Sequence, residues 1–365
     1  MKINDIIGCI EEAAPLMLQE SWDNSGLLTG NPNSEIESAL ITLDVTEAVV
    51  DEAIHFGNKL IISHHPLIFN GIRKLTGKTD AERALIKAIK HDIALYAAHT
   101  NIDSVQNGVS WKMAHKLGLN DVRTLTPQKG LLKKLVTFVP SEYAPKVREA
   151  ICAAGAGHIG NYDYCTFNGS GEGTFRGNEK SAPFVGVAQS IHVEKEIRIE
   201  TIFPAYQQKA ILKALTGSHP YEEVAYDIYP LDNVHPSIGL GVVGTLASPE
   251  TTPDYLKKVK NTFGCEVIRW AGPAHKTIQT VALCGGSGST LLPAAIGQKA
   301  DLFITADYKY HPFFDAGNDI VIADIGHYES EQFTKELFYE ILTNKFSKFA
   351  LRLSAIRTNP VNYLF

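Results

Sequence analysis

Cysteine is scarce in this chain: Cys9, Cys152, Cys165, Cys265 and Cys284 are the only five in 365 residues. Their number is odd and no two stand as C-x-x-C. A disulfide framework and a cysteine zinc site are therefore excluded as organising features, and free thiols fit a cytoplasmic setting. Long apolar runs are missing too, since none approaches the roughly 18 residues of a membrane span. The opening MKINDIIGCIEEAAP carries Asp5, Glu11 and Glu12 where a signal peptide would be apolar. It reads as an amphipathic helix with Ile3, Ile6, Ile7 and Ile10 on one face. Basic excess is also absent. Lys and Arg number 34 against 40 Asp and Glu, a formal net charge of −6, which argues against a broad nucleic-acid surface. The expected partner is a small molecule, with neither membrane nor nucleic acid.

The length exceeds what one ordinary core supports, so two domains are expected. Several apolar runs end in polar clusters. Lys59 to Ile62 leads into Ser63-His64-His65-Pro66, and Ile93 to Ala98 into His99-Thr100-Asn101-Ile102-Asp103. Asp301 to Ile304 ends at Thr305-Ala306-Asp307, and Ile320 to Ala323 at Asp324-Ile325-Gly326-His327. Helical patterns such as DAERALIKAIK (80–90) lie between, so the class is α/β, and ligand sites in such sheets gather beyond the carboxyl ends of strands. Early and late segments also match. KLIISHHPLIFNG parallels DLFITADYKYHPFFDAG, and IALYAAHTNIDS parallels IVIADIGHYESE, pairing His99/Asp103 with His327/Glu331. This predicts two pseudo-symmetric lobes. Residues 126–231 have another rhythm: strand (135–139), helix (142–154), strand (162–167) before a glycine-rich stretch (168–173), strand (196–203), helix (207–215) and strand (223–229). That is a ferredoxin-like βαββαβ plan. It would interrupt a discontinuous metal-binding domain made of 1–125 and 232–365.

The polar clusters suggest metal chemistry. Adjacent residues on an extended strand point in opposite directions, so His64 and His65 suit two separate ions, or one ion and a substrate, better than one shared ion. The alternative is one core and one surface histidine. His327 and Glu331, four residues apart after a strand, would share a helix face. Imidazole with carboxylate suits zinc, iron or manganese, and a carboxylate can bridge two ions. Glu329 reads as a solvated residue of that first turn. Asp103 offers an oxygen in the first lobe. His99 is a ligand, an outer partner or a proton shuttle, and Asp307 and His311 follow a strand end where they could line the same cavity. The run Cys284-Gly285-Gly286-Ser287-Gly288-Ser289 is a strand entering a glycine turn. It is either a cradle for an anionic group or tight strand-to-helix packing. Asp23 and Asn24, in WDNSGLL, could cap or orient a neighbour.

SHHPLIF, AAHTNID, CGGSGS, GHYESE and WDNSGLL together resemble the Nif-three-like family of dinuclear-metal-centre proteins, the type 2 GTP cyclohydrolase I homologues. The resemblance covers residues 1 to about 125 and about 232 to 365. It implies that His64, His65, Asp103, His327 and Glu331 hold two divalent metal ions, zinc first, with Glu331 as the bridge. It also implies a homohexameric ring, a trimer of dimers, with the metal sites facing an internal chamber. The middle segment, with HPYEEVAYDIYPL, is similar to the PII and CutA trimeric proteins. The expected function is a metal-dependent hydrolase of a small nucleotide-like substrate, as a GTP cyclohydrolase or a phosphoesterase, with His99, Asp307 or His311 moving protons. The alternative is a ring-shaped metal-binding regulatory or scaffold protein without catalysis.

Overall fold

A computed structural model describes residues 1–364. The chain forms two compact units. One comprises residues 1–126 together with the chain from Ser237 onward, and the other residues 127–236. Residues 232–236, grouped by sequence with the outer segments, fall in the inner unit, where the His235 amide donates to Gln128 O (3.2 Å).

The outer unit contains two sheets. In the first, the strand order is Gly26–Thr29, Ala94–Ala97, Leu60–Ser63, Ser38–Thr42 and Ala350–Leu353. The last four run parallel, and the edge strand Gly26–Thr29 is antiparallel to its neighbour. In the second, Arg269–Ala271, Val321–Asp324, Leu302–Ala306 and Thr277–Ser287 repeat that arrangement, and Gly239–Thr251 and Asn120–Pro127 extend it. Four strands of each lobe, numbered in chain order, thus lie in the order first, fourth, third, second, with the first antiparallel at the edge. The central strands are apolar along their length because helices and loops cover both faces; Leu60, Ile61 and Ile62 are fully buried, as are Phe303 and Ile304. Between the strands of the first lobe, Thr46 caps Glu47–Phe56 by accepting from the Val49 amide. Thr79 likewise caps Asp80–Lys90, which buries Ala84, Leu85 and Ala88. Parallel strands joined by such helices leave all their carboxyl ends on one side, which is where the polar clusters sit.

The inner unit runs Leu132–Pro140, Ala144–Ala153, Thr166–Phe175, His192–Pro204, Gln208–Ser218 and Tyr226–Pro230, strand-helix-strand twice over. Its sheet order is Thr166–Phe175, His192–Pro204, Leu132–Pro140, Tyr226–Pro230, all antiparallel. The first and third strands are central, the ferredoxin-like order. Leu135, Val139, Ile199 and Phe203 pack against Val147, Ile151, Ile211 and Leu215 of the two helices. The glycine-rich stretch does not follow the second strand, as its pattern predicts, but is that strand. Ten-residue pairing with His192–Pro204 fixes a backbone that glycine alone would leave free.

Candidate metal centre

The site grows from four strand ends in the outer unit. Leu60–Ser63 stops at Ser63, and the amides of both His64 and His65 turn to the same carbonyl, Leu43 O (3.1 Å each). The extended alternation expected of this dipeptide therefore does not hold. The two rings lie with centroids 4.9 Å apart and face one region. After Ala94–Ala97 comes the short helix Thr100–Asp103, preceded by His99; after Val321–Asp324 comes His327–Glu331, preceded by Gly326. His99 and His327 are consequently not equivalent, since one precedes its helix and the other begins it.

Each imidazole is held by Nδ1. His64 donates to Ala98 O (2.9 Å), His65 pairs with Asp44 (2.7 Å), His99 with Asp23 (2.8 Å) and His327 with Asp307 (2.7 Å). Such outer partners fix the ring and leave Nε2 as the donor atom. Nε2 of His65 and Nε2 of His327 both lie 3.0 Å from Glu331 Oε2 and 3.3 Å from each other. Nε2 of His64 lies 3.7 Å from both Asp103 Oδ1 and Glu331 Oε1. Among the described residues, His64 Nε2 and Asp103 Oδ1 are enclosed with no hydrogen-bond partner, while the buried Glu331 Oε2 is met by the two imidazoles at 3.0 Å. Buried polar atoms left unpaired are costly and rare, and these two lie 3.7 Å apart. Two overlapping groups, His64–His65–His99 and His65–His327–Glu331, could each hold a metal ion. The donor set of imidazole nitrogen and carboxylate oxygen fits zinc, iron or manganese.

The electrostatics follow from burial and pairing. Burial pushes His64 down to about 4, so the ring is neutral with its proton on Nδ1. Burial opposes charge on His65 as well, but hydrogen bonds to Asp44 and Glu331 outweigh it and raise it to about 10. His327 rises to about 9 against its burial through Glu331 and Asp307. Asp103 is held well above the usual carboxylate range by burial and by Glu331 beside it. Glu331 is held well below it because the surrounding histidines overcome its own burial. Asp23 is likewise lowered, its hydrogen bonds from His99 and Thr100 outweighing burial.

The glycine run has a role other than an anion cradle. The amides of Gly285, Gly286 and Gly288 already donate to Ser110, Ser330 and Thr305 hydroxyls (3.3, 2.9 and 2.9 Å), and Ser287 pairs in the sheet with Ala306. These groups are spent on the fold. Between Leu283 and Ser287 the register slips, four steps on this strand facing two on its partner, a bulge. Within the bulge Gly286 has φ +61°, and a Cβ there would fall 2.2 Å from Glu331 Oε1. Glycine is needed so that the Glu331 helix can lie against the strand.

His311 does not join the cluster. It is exposed on the turn His311–Ala316, stacked edge-on against Tyr310 (5.3 Å) and away from the cavity. Asp307 does line that cavity, but its carboxylate is engaged in holding His327. Glu329 is buried rather than solvated, accepting from Asn359 (2.8 Å). Sequence reasoning does not single out Asp44, although it follows the end of strand Ser38–Thr42 as the other donors follow theirs. Arg269 is missed too, because its edge strand has only three residues. The cluster opens on a cavity of about 1280 Å³, and among the described residues Arg269 is the one lysine or arginine lining it. Its Nη2 is held by Tyr308 O (2.9 Å) and by the buried Asp324 carboxylate. Trp22 and Phe69 lie edge-on to His99, at 5.8 and 5.6 Å, on the same cavity.

Three comparisons bear on these observations. The family described as Duf34/NIF3 (NGG1p interacting factor 3) matches residues 1–360. A protein of Halalkalibacterium halodurans named GTP cyclohydrolase 1 type 2 homolog is 40% identical over 364 residues, 98% of each chain. The Bacillus subtilis protein of the same name is 39% identical over 367 residues, again 98% of each. Among solved structures, a Bacillus cereus protein related to NIF3 superposes with a TM-score of 0.88 at 38% identity, covering 100% of this chain and 99% of its own. Matched along nearly its whole length, in sequence and in architecture, the chain belongs to the Duf34/NIF3 family.

Proposed function

We propose that this protein is a metal-dependent hydrolase of a small phosphorylated or nucleotide-like substrate. His64, Asp103 and Glu331 would hold one divalent ion, and His65, His327 and Glu331 a second, zinc first and iron or manganese as alternatives. The observation that carries this reading is that His64 Nε2 and Asp103 Oδ1, enclosed and without partners, face each other beside the buried Glu331 carboxylate. When bound, such ions supply Lewis acidity and activate a nucleophile near neutral pH. The chain's own residues supply position and protons. Ionised Asp23 holds His99 by Nδ1, which leaves Nε2 to take or give a proton beside His64 and His65. Asp307 orients His327. Arg269 takes over the anion-holding role that the glycine run cannot fill. Its Nη2 is anchored, while Nε and Nη1, without a hydrogen bond among the described residues, would meet a phosphate or carboxylate.

The test is a turnover screen of metal-loaded protein across nucleotides and phosphoesters, with Glu331→Ala and His99→Ala controls. Turnover lost in Glu331→Ala together with its metal, and in His99→Ala with metal retained, supports the reading. Full metal occupancy without turnover across the screen refutes it and favours a metal-binding assembly without catalysis.

A further inference from the structure

The inner unit contains a cavity that the metal centre does not explain. Its strand Thr166–Phe175 has glycine at 169, 171 and 173, every second position, and alternate residues of a strand share a face. Glycine weakens a strand interior and often marks a place where a ligand or another backbone comes close. The backbone does not demand it, because none of the three has positive φ. A Cβ on Gly169 or Gly171 would meet no atom within 4 Å, whereas one on Gly173 would fall 2.1 Å from Glu196 Oε2. The first two glycines therefore keep a space open instead of fitting a neighbour.

That space has a volume of about 710 Å³. Phe138, Phe175, Phe184 and Tyr221 contribute to its walls, with ring centroids 5.9 Å apart for Phe175 and Tyr221 and 6.4 Å for Phe184 and Tyr221. Glu196 lies across the sheet from Gly171, on the same face, and is only 8% exposed. Its Oε1 accepts from the Tyr221 hydroxyl at 2.9 Å. Among the described residues no lysine or arginine forms an ion pair with it, since Lys134 and Arg198 pair with Glu200; His192 pairs with Glu194, and burial keeps the nearby His219 below its ordinary range and disfavours its charged form. A buried carboxylate without a counter-charge is expensive unless something arrives to pair with it. Glu172, Glu222 and Glu223 also line the cavity, against Arg176 and Arg198, so the balance of charge is acidic.

The geometry points to a second ligand site here, one that takes a small organic cation, an alkylammonium or guanidinium group set against the Glu196 carboxylate among the rings of Phe175, Phe184 and Tyr221. Aromatic walls attract a cation through their ring quadrupoles, most strongly where water is excluded. An anion would meet Glu196 and the surrounding glutamates. A neutral apolar guest would leave Glu196 unpaired. The site is separate from the metal centre and stands whether or not that centre is catalytic.

Titration calorimetry on the full chain tests it, with butylguanidinium, butyltrimethylammonium and uncharged butylurea as probes. At least one cation should bind saturably, one per chain, and butylurea should not. Glu196→Gln should weaken binding tenfold or more. Gly171→Val, which the strand tolerates and whose side chain enters the cavity, should abolish it. Metal content and unfolding temperature report that both variants remain folded. The inference is overturned if neither cation binds, if butylurea binds as well as the cations, or if Glu196→Gln binds unchanged. It is also overturned if Gly171→Val breaks a self-association of the wild-type chain that has no cation dependence, because the glycines would then serve a chain–chain contact.

Discussion

Gly286→Ala tests the packing that presents Glu331. Two effects combine at this position. The backbone is left-handed, φ +61°, which costs a residue with a Cβ roughly 1–2 kcal/mol. The new methyl would also fall 2.2 Å from Glu331 Oε1 and 3.3 Å from His327 Cε1. Relieving the first contact requires the carboxylate to move by on the order of 1 Å before ordinary separation is restored. Gly57→Ala separates the two effects. Gly57 ends the helix Glu47–Phe56 with φ +70° and has nothing within 4 Å of the added Cβ, so it carries the strain without the collision.

Both variants should lower the unfolding temperature of metal-free protein, Gly286→Ala by at least as much as Gly57→Ala, at about 2–4 °C per kcal/mol for a unit of this size. Only Gly286→Ala should lose metal affinity. A misplaced carboxylate should weaken binding about 100-fold, which corresponds to about 2.7 kcal/mol. Competition with a chelating dye reads that affinity directly. If Gly286→Ala holds metal as tightly as Gly57→Ala does, Glu331 is not a ligand and the account of the glycine bulge fails.

Asp44→Asn should weaken metal binding about 10- to 100-fold by loosening His65; unchanged affinity in the same competition assay would remove Asp44 from the centre. His311→Ala should leave metal content and any turnover unchanged, since the ring stacks on Tyr310 outside the cavity, and a loss in either would restore it as a site residue. In metal-free protein His65 and His327 are raised from 6.5 to about 10 and about 9, so both are protonated at pH 7.5. Metal uptake must displace those protons, affinity should rise with pH from about 7 towards 9, and binding heats should vary with buffer ionisation enthalpy; heats independent of buffer would refute this. The proposed homohexamer, a closed ring of D₃ symmetry, predicts a solution mass of six chains, and a stable metal-loaded monomer at micromolar concentration would sink it.

Strand ends were the legible part of this chain. His64, His65, Asp103, His327 and Glu331 each follow a short apolar run, and a parallel sheet gathers such ends on one side whatever the loops between them do. What sequence could not supply was the local turn. The opposed directions expected of His64 and His65 depend on extended backbone, and both amides instead share Leu43 O. Spacing also misled at His99. Four residues separate it from Asp103, as His327 from Glu331, yet one histidine stands before its helix and the other inside it. The glycines after Cys284 look like anion donors in sequence because a glycine turn exposes amides. Their amides are consumed by three hydroxyls from Ser110, Thr305 and Ser330, which lie far apart in sequence and carry no pattern that would announce it. Asp44 was equally hidden, since a single aspartate beyond a strand looks like any turn residue until His65 is seen against it.

The repeat explains where the cluster lies but not how its parts are divided. Aligned by their strands, Leu60–Ser63 and Leu302–Ala306 place His65 opposite Asp307. In one lobe that position offers an imidazole to the centre. In the other it offers a carboxylate that holds His327 from behind. The helices diverge in the same sense. Asp103 is the fourth residue of its helix and has a short side chain, and among the described imidazoles it pairs with His64, at 3.7 Å. Glu331 is the fifth residue of its helix and one methylene longer. One of its oxygens reaches His64, and the other reaches His65 and His327. A carboxylate with its two oxygens turned to different donor sets is suited to bridging two ions, as the proposed centre needs. Shortening it to aspartate would leave its charge in place and withdraw that reach.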